Sequence, residues 1–128
     1  IFDEKEVLIG DEYKIGTTLL QISQPRIPCY KIGIKMNSRD FPKLFSQSGL
    51  LGSYMRVIEP GRIKISDSVE LSKRDDSSMS IFEISQLLFV DIKNIEGMKR
   101  AIDLKYLSEE IKEKFRERLM KLGDFSSL

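Results

Sequence analysis

Over the first three-fifths of the chain the apolar positions come in short runs, each closed by Gly, Pro, Asp or Ser, which is the pattern of β structure. Val7-Leu8-Ile9 stops at Gly10-Asp11, and Tyr13 and Ile15 then alternate with Glu12 and Lys14 until Gly16. Thr17 to Ser23 is β-branched and apolar and is halted by Pro25. Ser53 to Ile58 alternates, with Tyr54, Arg56 and Ile58 on one side and Met55 and Val57 on the other. Pro60-Gly61 signals a turn, after which Ile63 with Ile65 and Val69 with Leu71 predict further strands. One stretch between the strands differs. Asp40 to Ser48 predicts a short helix, capped by Asp40, with Pro42 in its first turn, Leu44 and Phe45 on its buried side and Gly49 at its end.

Val7 to Ile15 is echoed by Ile63 to Leu71: both read apolar-x-apolar, then Gly or Ser, then Asp, then x-apolar-x-apolar. Each predicts a strand, an Asp-containing corner and a second strand. Two such corners suit a small barrel whose sheet folds over on itself. Two unrelated hairpins with similar turn chemistry account for the pattern equally well.

From about Met79 the period becomes helical. Ile81, Ile84, Leu87 and Leu88 fall at spacings of three and four. Asp91 is the expected cap of a second helix with Ile95, Met98 and Ile102 on one face. Ser108 precedes Glu109-Glu110 and the stripe Ile111, Phe115, Leu119, which gives an N-cap, two acids at the positive end of the helix dipole and an apolar face. Lys112, Lys114, Arg116 and Arg118 alternate with Glu113 and Glu117 on the remaining sides, which predicts a solvated face rather than a nucleic-acid patch. Three short helices bury little alone, so they are expected to pack on one another and on the barrel or a partner. The polar stretch Arg74 to Ser78 is the best internal boundary.

Length and composition narrow the classes. A chain of 128 residues with 41% hydrophobic and 32% charged residues suits one domain with a small appendage and not a disordered tail. Lys+Arg number 21 and Asp+Glu 20, so no bulk electrostatic attraction to nucleic acid or membrane follows. The absence of histidine excludes a His-based triad, a His general base and His-ligated metal within this sequence, and the single cysteine excludes an internal disulfide or a Cys cluster. No apolar run approaches the roughly 20 residues of a membrane-spanning helix. The sequence opens Ile1-Phe2-Asp3 with no charged leader before an apolar core, so a cytoplasmic location is the expectation.

Candidate chemistry centres on Ser23-Gln24-Pro25-Arg26-Ile27-Pro28-Cys29-Tyr30-Lys31. A strand delivers the chain into a loop stiffened by two prolines, each of which fixes its own φ and pushes the preceding residue toward extended geometry. The sole cysteine thus sits on a restrained backbone, as a preorganised ligand or nucleophile does. Arg26 and Lys31 flank it, and either cation near the sulfur favours thiolate over thiol. The same two cations are suited to hold a phosphate, and a soft thiolate beside an anion clamp is what a metal–organophosphate cofactor requires. The plain alternative is a small buried cysteine in an ordinary proline turn. A second candidate is Ser48-Gly49-Leu50-Leu51-Gly52, whose glycines permit close approach of a ligand and whose serine offers a hydroxyl, with Arg56 supplying charge from the next strand. A helix C-cap followed by a turn explains it as well. The common nucleotide loops are absent.

Ile9-Gly-Asp11, Gly16, the string Gln21 to Lys31, Ser48-Gly49 with Gly52, and Arg56-Val-Ile-Glu-Pro-Gly61 together resemble the MOSC domain family, named for the C-terminal domain of molybdenum-cofactor sulfurases. The likeness is to its stand-alone YiiM-type members, which carry three helices after the barrel. Ser78 to Leu119 resembles that part at Ser80, Leu87-Leu88-Phe89, Asp91 and Leu107-Ser108. The resemblance implies a mainly β protein with α: a partial antiparallel MOSC-like β-barrel over 1–75, a three-helix appendage over 76–122 and a tail over 123–128. The family's Gly-Glu-Asn motif, which precedes the part matched here, is not in the sequence, and Ser48 to Ser53 lacks the arginine and tryptophan of the family's Ser-Gly-Arg-x-Gly-Trp.

The resemblance further implies a molybdenum-pterin cofactor, with Cys29 as the metal ligand and catalytic residue. Gln24, Arg26, Lys31, Ser48, Gly49 and Arg56 are the positions expected to bind the cofactor. The implied activity of the full-length protein is reduction of N-hydroxylated small molecules, with electrons from an external donor protein. Pyridoxal phosphate binding is a possibility at family level, and homo-oligomerisation is left open. Two other readings stand: a sulfur carrier working through a Cys29 persulfide, and a non-catalytic binding module.

Overall fold

The computed structural model describes residues 3–27 and 52–123. The helix expected over Asp40 to Ser48 lies outside the described residues. Four strands form one antiparallel sheet: β1 (Glu12–Ile15), β2 (Thr18–Pro25), β3 (Ser53–Glu59) and β4 (Val69–Lys73), in the order β3-β2-β1-β4. Three helices follow: α1 (Ile81–Phe89), α2 (Ile95–Ile102) and α3 (Glu109–Lys121). The sheet does not close on itself among the described residues, so the architecture is a partial barrel with a helical appendage. No helix among them is long and apolar enough to cross a membrane.

Strand pairing sorts the side chains by face, because cross-strand partners share a side and successive residues alternate. Tyr13 lies opposite both Leu20 and Leu71, Ile15 opposite Val69, and Leu20 and Ile22 opposite Val57 and Met55. These apolar residues form one face. The other carries a polar row across all four strands, Lys73–Glu12–Gln21–Arg56, since Glu12 partners both Lys73 and Gln21, and Gln21 partners Arg56.

The echo is a structural fact. At the first corner the Asp11 N–H donates to the Leu8 carbonyl (3.0 Å), and its carboxylate accepts from the Leu8 N–H (3.0 Å). At the second, the Asp67 N–H donates to the Lys64 carbonyl (3.0 Å), and its carboxylate accepts from the Lys64 N–H (2.7 Å). The strands that follow pair antiparallel, Tyr13 with Leu71, Lys14 with Glu70 and Ile15 with Val69, so the two halves of the repeat meet about a local twofold.

Two expected strands are absent from the sheet. Val7 to Ile9 instead lines the entry to α1: Ile9 N–H donates to the Met79 carbonyl (2.8 Å) and Ile81 N–H to the Val7 carbonyl (3.0 Å). Ile63 and Ile65 stand in an irregular segment, 54% and 108% exposed, because the turn closed by Asp67 takes up the backbone that a strand would need.

The helices begin where capping chemistry dictates. Ser80 and Glu83 exchange side-chain and backbone hydrogen bonds in a complete capping box, a motif whose N-cap half alone contributes about 1 kcal/mol. Ser108 caps α3 as expected, with Glu109 and Glu110 in the first turn and Arg118 and Lys121 in the last. The cap of α2 is Asn94, whose side chain accepts from Gly97 N–H (2.8 Å), and not Asp91. Asp91 is held back by its N–H bond to the Gln86 carbonyl at the end of α1, and it orients Asn94 by accepting from its amide (2.8 Å). Arg118 donates to the Leu87 and Leu88 carbonyls at 2.6 and 3.1 Å, so it fastens α3 to the end of α1. Arg116 bridges Glu109 and Glu113 on the solvated side.

Sheet and helices share one core, in which Tyr13 and Ile22 join Ile81, Ile84, Met98, Ile111, Phe115 and Leu119. The seam has its own fastenings. Asp11, with no exposed surface, receives two bonds from Arg74 just beyond β4: Nε to Oδ1 at 3.0 Å and a terminal nitrogen to Oδ2 at 2.6 Å. The Tyr13 hydroxyl also donates to it (2.9 Å). Burial first, then the bond to Asp11 and its negative charge, push the Tyr13 phenol from 10 up to about 12 against the opposing pull of Arg74.

A pH prediction follows from that shift. The folded value exceeds the unfolded one, so the neutral phenol favours the fold fully below pH 10, and this contribution is lost as pH rises through about 12. Urea unfolding at pH 8, 10 and 12 is expected to show an alkaline loss of roughly 2 kcal/mol in the wild type that Tyr13→Phe lacks. Equal alkaline losses in both proteins would show that Tyr13 is not the titrating group.

Candidate active site at the end of strand β2

Strand β2 carries the chain toward the cysteine, and its last residues are tightly placed. Ser23 is inserted as a bulge: Ile22 partners Met55 and Gln24 partners Tyr54, which leaves Ser23 without a cross-strand position. Its hydroxyl and its carbonyl are both used. The hydroxyl donates to the Tyr54 carbonyl (3.1 Å), and its carbonyl accepts from Ser108 N–H (3.0 Å) at the cap of α3. Gln24 is buried, Pro25 pairs with Ser53, and the Arg26 N–H donates to the Gly52 carbonyl (3.1 Å). The Gly52 backbone has φ +79°, a conformation that favours glycine at this junction.

The chain therefore leaves the sheet at Arg26 and re-enters it at Gly52, with the two ends hydrogen-bonded to each other. Cys29, Lys31, Ser48 and Gly49 belong to the intervening segment and lie outside the described residues. Of the expected site residues, the structure brings Gln24 and Arg26 together on this junction, with Arg26 exposed. Arg56 is placed elsewhere on the sheet. Its guanidinium donates to the Gln21 side chain at 2.6 Å and to the Tyr106 carbonyl at 3.2 Å, while Gln21 donates on to Glu12 (3.3 Å). The charge expected for a ligand holds the α2–α3 connection against the polar face of the sheet.

The donor set at the junction suits a molybdenum-pterin group in chemical type. In the sequence that the junction encloses, one cysteine thiol lies between Arg26 and Lys31, residue types that a phosphorylated cofactor with a soft metal would need. Among the described residues, no group of three or more Cys, Asp or Glu is placed to hold a metal ion.

Sequence reasoning missed two further groupings. The Asp11–Tyr13–Arg74 network joins residues 63 apart in the chain. The second gathers Lys73, Lys105 and Tyr106 at the seam. The only sequence signal for the first is the Asp common to both corners, and nothing in the spacing announces the second.

The MOSC domain model matches residues 1–70, more than half of the chain, so the protein belongs to the MOSC domain family. Residues 79–122 match the YiiM-like 3-alpha helix domain, so the MOSC part is followed by a helical unit of the YiiM type. The chain is similar to the "Uncharacterized protein YflK" of Bacillus subtilis, with 31% identity over 88% of this chain and 51% of that protein. It is similar also to a protein named "Reductase" from Gibberella moniliformis, with 31% identity over 66% of this chain and 15% of that one. Among solved structures, YiiM from Geobacillus stearothermophilus superposes with a TM-score of 0.86 at 36% identity, covering 92% of this chain and 60% of its own. The chain thus spans about half the length of the first relative and three-fifths of that structure.

Proposed function

We propose that this chain is the cofactor-binding part of a molybdenum-dependent reductase of N-hydroxylated small molecules, with Cys29 as the metal ligand. The observation that carries the reading is the junction itself. The Arg26–Gly52 bond holds both ends of the cysteine-bearing segment at one point on the sheet. Membership of the MOSC family and the similarity to a protein named as a reductase support it.

In this reading residues 1–75 form the cofactor unit, 76–122 the helical unit docked on it and 123–128 a tail, in a cytoplasmic setting. When bound, the molybdenum centre supplies two-electron chemistry: an N–OH group takes up two electrons and two protons to give N–H and water. The protein's own residues bind and orient. Cys29 offers the thiolate, Arg26 and Lys31 neutralise the cofactor's phosphate and favour the ionised sulfur, and Gln24, Ser48 and Gly49 complete the binding positions, while Arg56 is engaged by Gln21 and Tyr106 and takes no part. No flavin, haem or iron–sulfur motif occurs within this chain, so in this reading the electrons enter from outside it, from a donor protein or domain.

The test is elemental analysis of the full-length protein purified with cofactor. Molybdenum close to one atom per chain is expected in the wild type, with a large loss in Cys29→Ser. Equal metal in the two proteins would overturn the assignment of the ligand.

A further inference from the structure

We propose that the seam between the sheet and the α2–α3 connection binds a small monoanion with a flat apolar body, such as an aromatic carboxylate. A cavity of about 250 Å³ opens there, walled by Ile9, Leu104 and the Tyr106 ring. Lys73 at the end of β4 and Lys105 beside Tyr106 reach it from two elements, their ammonium groups 5.9 and 5.3 Å from the centre of the same ring. Among the described residues neither lysine forms an ion pair with a carboxylate. Both lysines line this one cavity, so an anion seated in it meets two positive charges beside an apolar wall.

The neighbouring groups set the ligand's charge. Asp75 lines the cavity, but its carboxylate is turned to Ser77, accepting from the hydroxyl at 2.6 Å and the N–H at 3.0 Å. Glu12, opposite Lys73 on β1, is drawn to Gln21. Two ammonium groups facing one lining carboxylate favour a single negative charge over the double charge of a phosphate. Ser78 spends its hydroxyl on the Ile9 carbonyl (2.7 Å), so recognition falls to the lysines and the apolar walls.

The site is independent of the cysteine junction, since neither lysine belongs to the proposed cofactor positions. Its occupant would reinforce the fastenings that Arg56 and Ser108 already make to the sheet, so ligand binding raises the thermal midpoint by mass action.

The experiment is an NMR titration of the ¹⁵N-labelled full-length protein with benzoate. Saturable shifts are expected at the amides of Ile9, Lys73, Leu104, Lys105 and Tyr106. Benzyl alcohol, the neutral analogue, should bind about tenfold more weakly, and Lys73→Met/Lys105→Met should weaken benzoate by a similar factor. The arginine pair Lys73→Arg/Lys105→Arg should retain it. Shifts that never saturate or scatter over the surface would overturn the proposal, as would benzoate affinity unchanged in the methionine pair or inorganic phosphate displacing benzoate at equal concentration. Should the methionine pair fail to fold, salt carries the decision: affinity must fall between about 50 and about 500 mM NaCl, and constant affinity refutes the site.

Discussion

Replacing Arg74 by methionine is expected to destabilise the chain by about 3 kcal/mol, the low end of the cost of breaking a buried ion pair. The reason is the partner left behind. Asp11 has no exposed surface, and with Arg74 gone its carboxylate keeps only the Tyr13 hydroxyl and the Leu8 N–H. Burial disfavours that uncompensated charge, so the corner opens to water. Arg74 is itself 29% exposed, which places the cost at the lower end of the range. The methionine retains most of the arginine's aliphatic bulk, so lost packing contributes little. The double variant Asp11→Asn/Arg74→Met should be more stable than Arg74→Met alone, because the amide carries no charge to strand. Urea unfolding of the wild type, both single variants and the double variant measures the coupling. A single-variant loss below about 1 kcal/mol, with no recovery in the double, would show that water already satisfies Asp11.

The parts of the fold governed by short-range chemistry were readable from the residues. Ser80-x-x-Glu83 and Ser108 with two following acids mark helix starts through bonds that span only three residues, and the structure forms them. The corners at Asp11 and Asp67 are of the same kind, each closed by one carboxylate on a backbone N–H three residues back. Where the reading failed, a longer contact decided. Ile63 and Ile65 have the alternation of a strand, but the Thr17–Arg62 backbone bond and the Asp67 turn use the backbone differently. Asp91 and Asn94 are both competent caps, and the choice falls to Asn94 because α1 ends by engaging the Asp91 N–H.

The same division applies to the candidate site. The double-proline string and its flanking cations are read from the sequence alone, and from Pro28 onward they lie outside the described residues. The role of Arg56 is not local: alternation places it on a strand facing Gln21, but its bond to the Tyr106 carbonyl links residues 50 apart. Arg74 shows this most sharply. It stands in a polar stretch that reads as a boundary between two units, yet it supplies the cation for a buried aspartate at the first corner. A boundary in composition is here a fastening in space. The Arg74 bonds fasten the two ends of the sheet part to each other, while sheet and helical unit are joined by the shared core and by the Ser108–Ser23 and Arg56–Tyr106 bonds.

Cys29→Ser is expected to bring reduction of N-hydroxylated compounds by the full-length protein down to the background without enzyme. Serine offers a harder donor that stays protonated at neutral pH, whereas the proposed role needs a thiolate sulfur that binds a soft metal. Arg26→Ala should give an intermediate loss, because it leaves the sulfur in place and removes one of its two cations. The same pair of variants separates the reductase from a sulfur carrier, which depends equally on an ionised Cys29. A carrier acquires a stable extra sulfur when incubated with a sulfur donor in the absence of metal, and mass spectrometry detects it as an added mass lost in Cys29→Ser. The reductase predicts the opposite combination: metal-dependent turnover, no lasting adduct, and activity that follows molybdenum content across wild type, Arg26→Ala and Cys29→Ser. Persulfide accumulation on a metal-free wild type that shows no turnover after cofactor loading would reassign the cysteine to sulfur transfer.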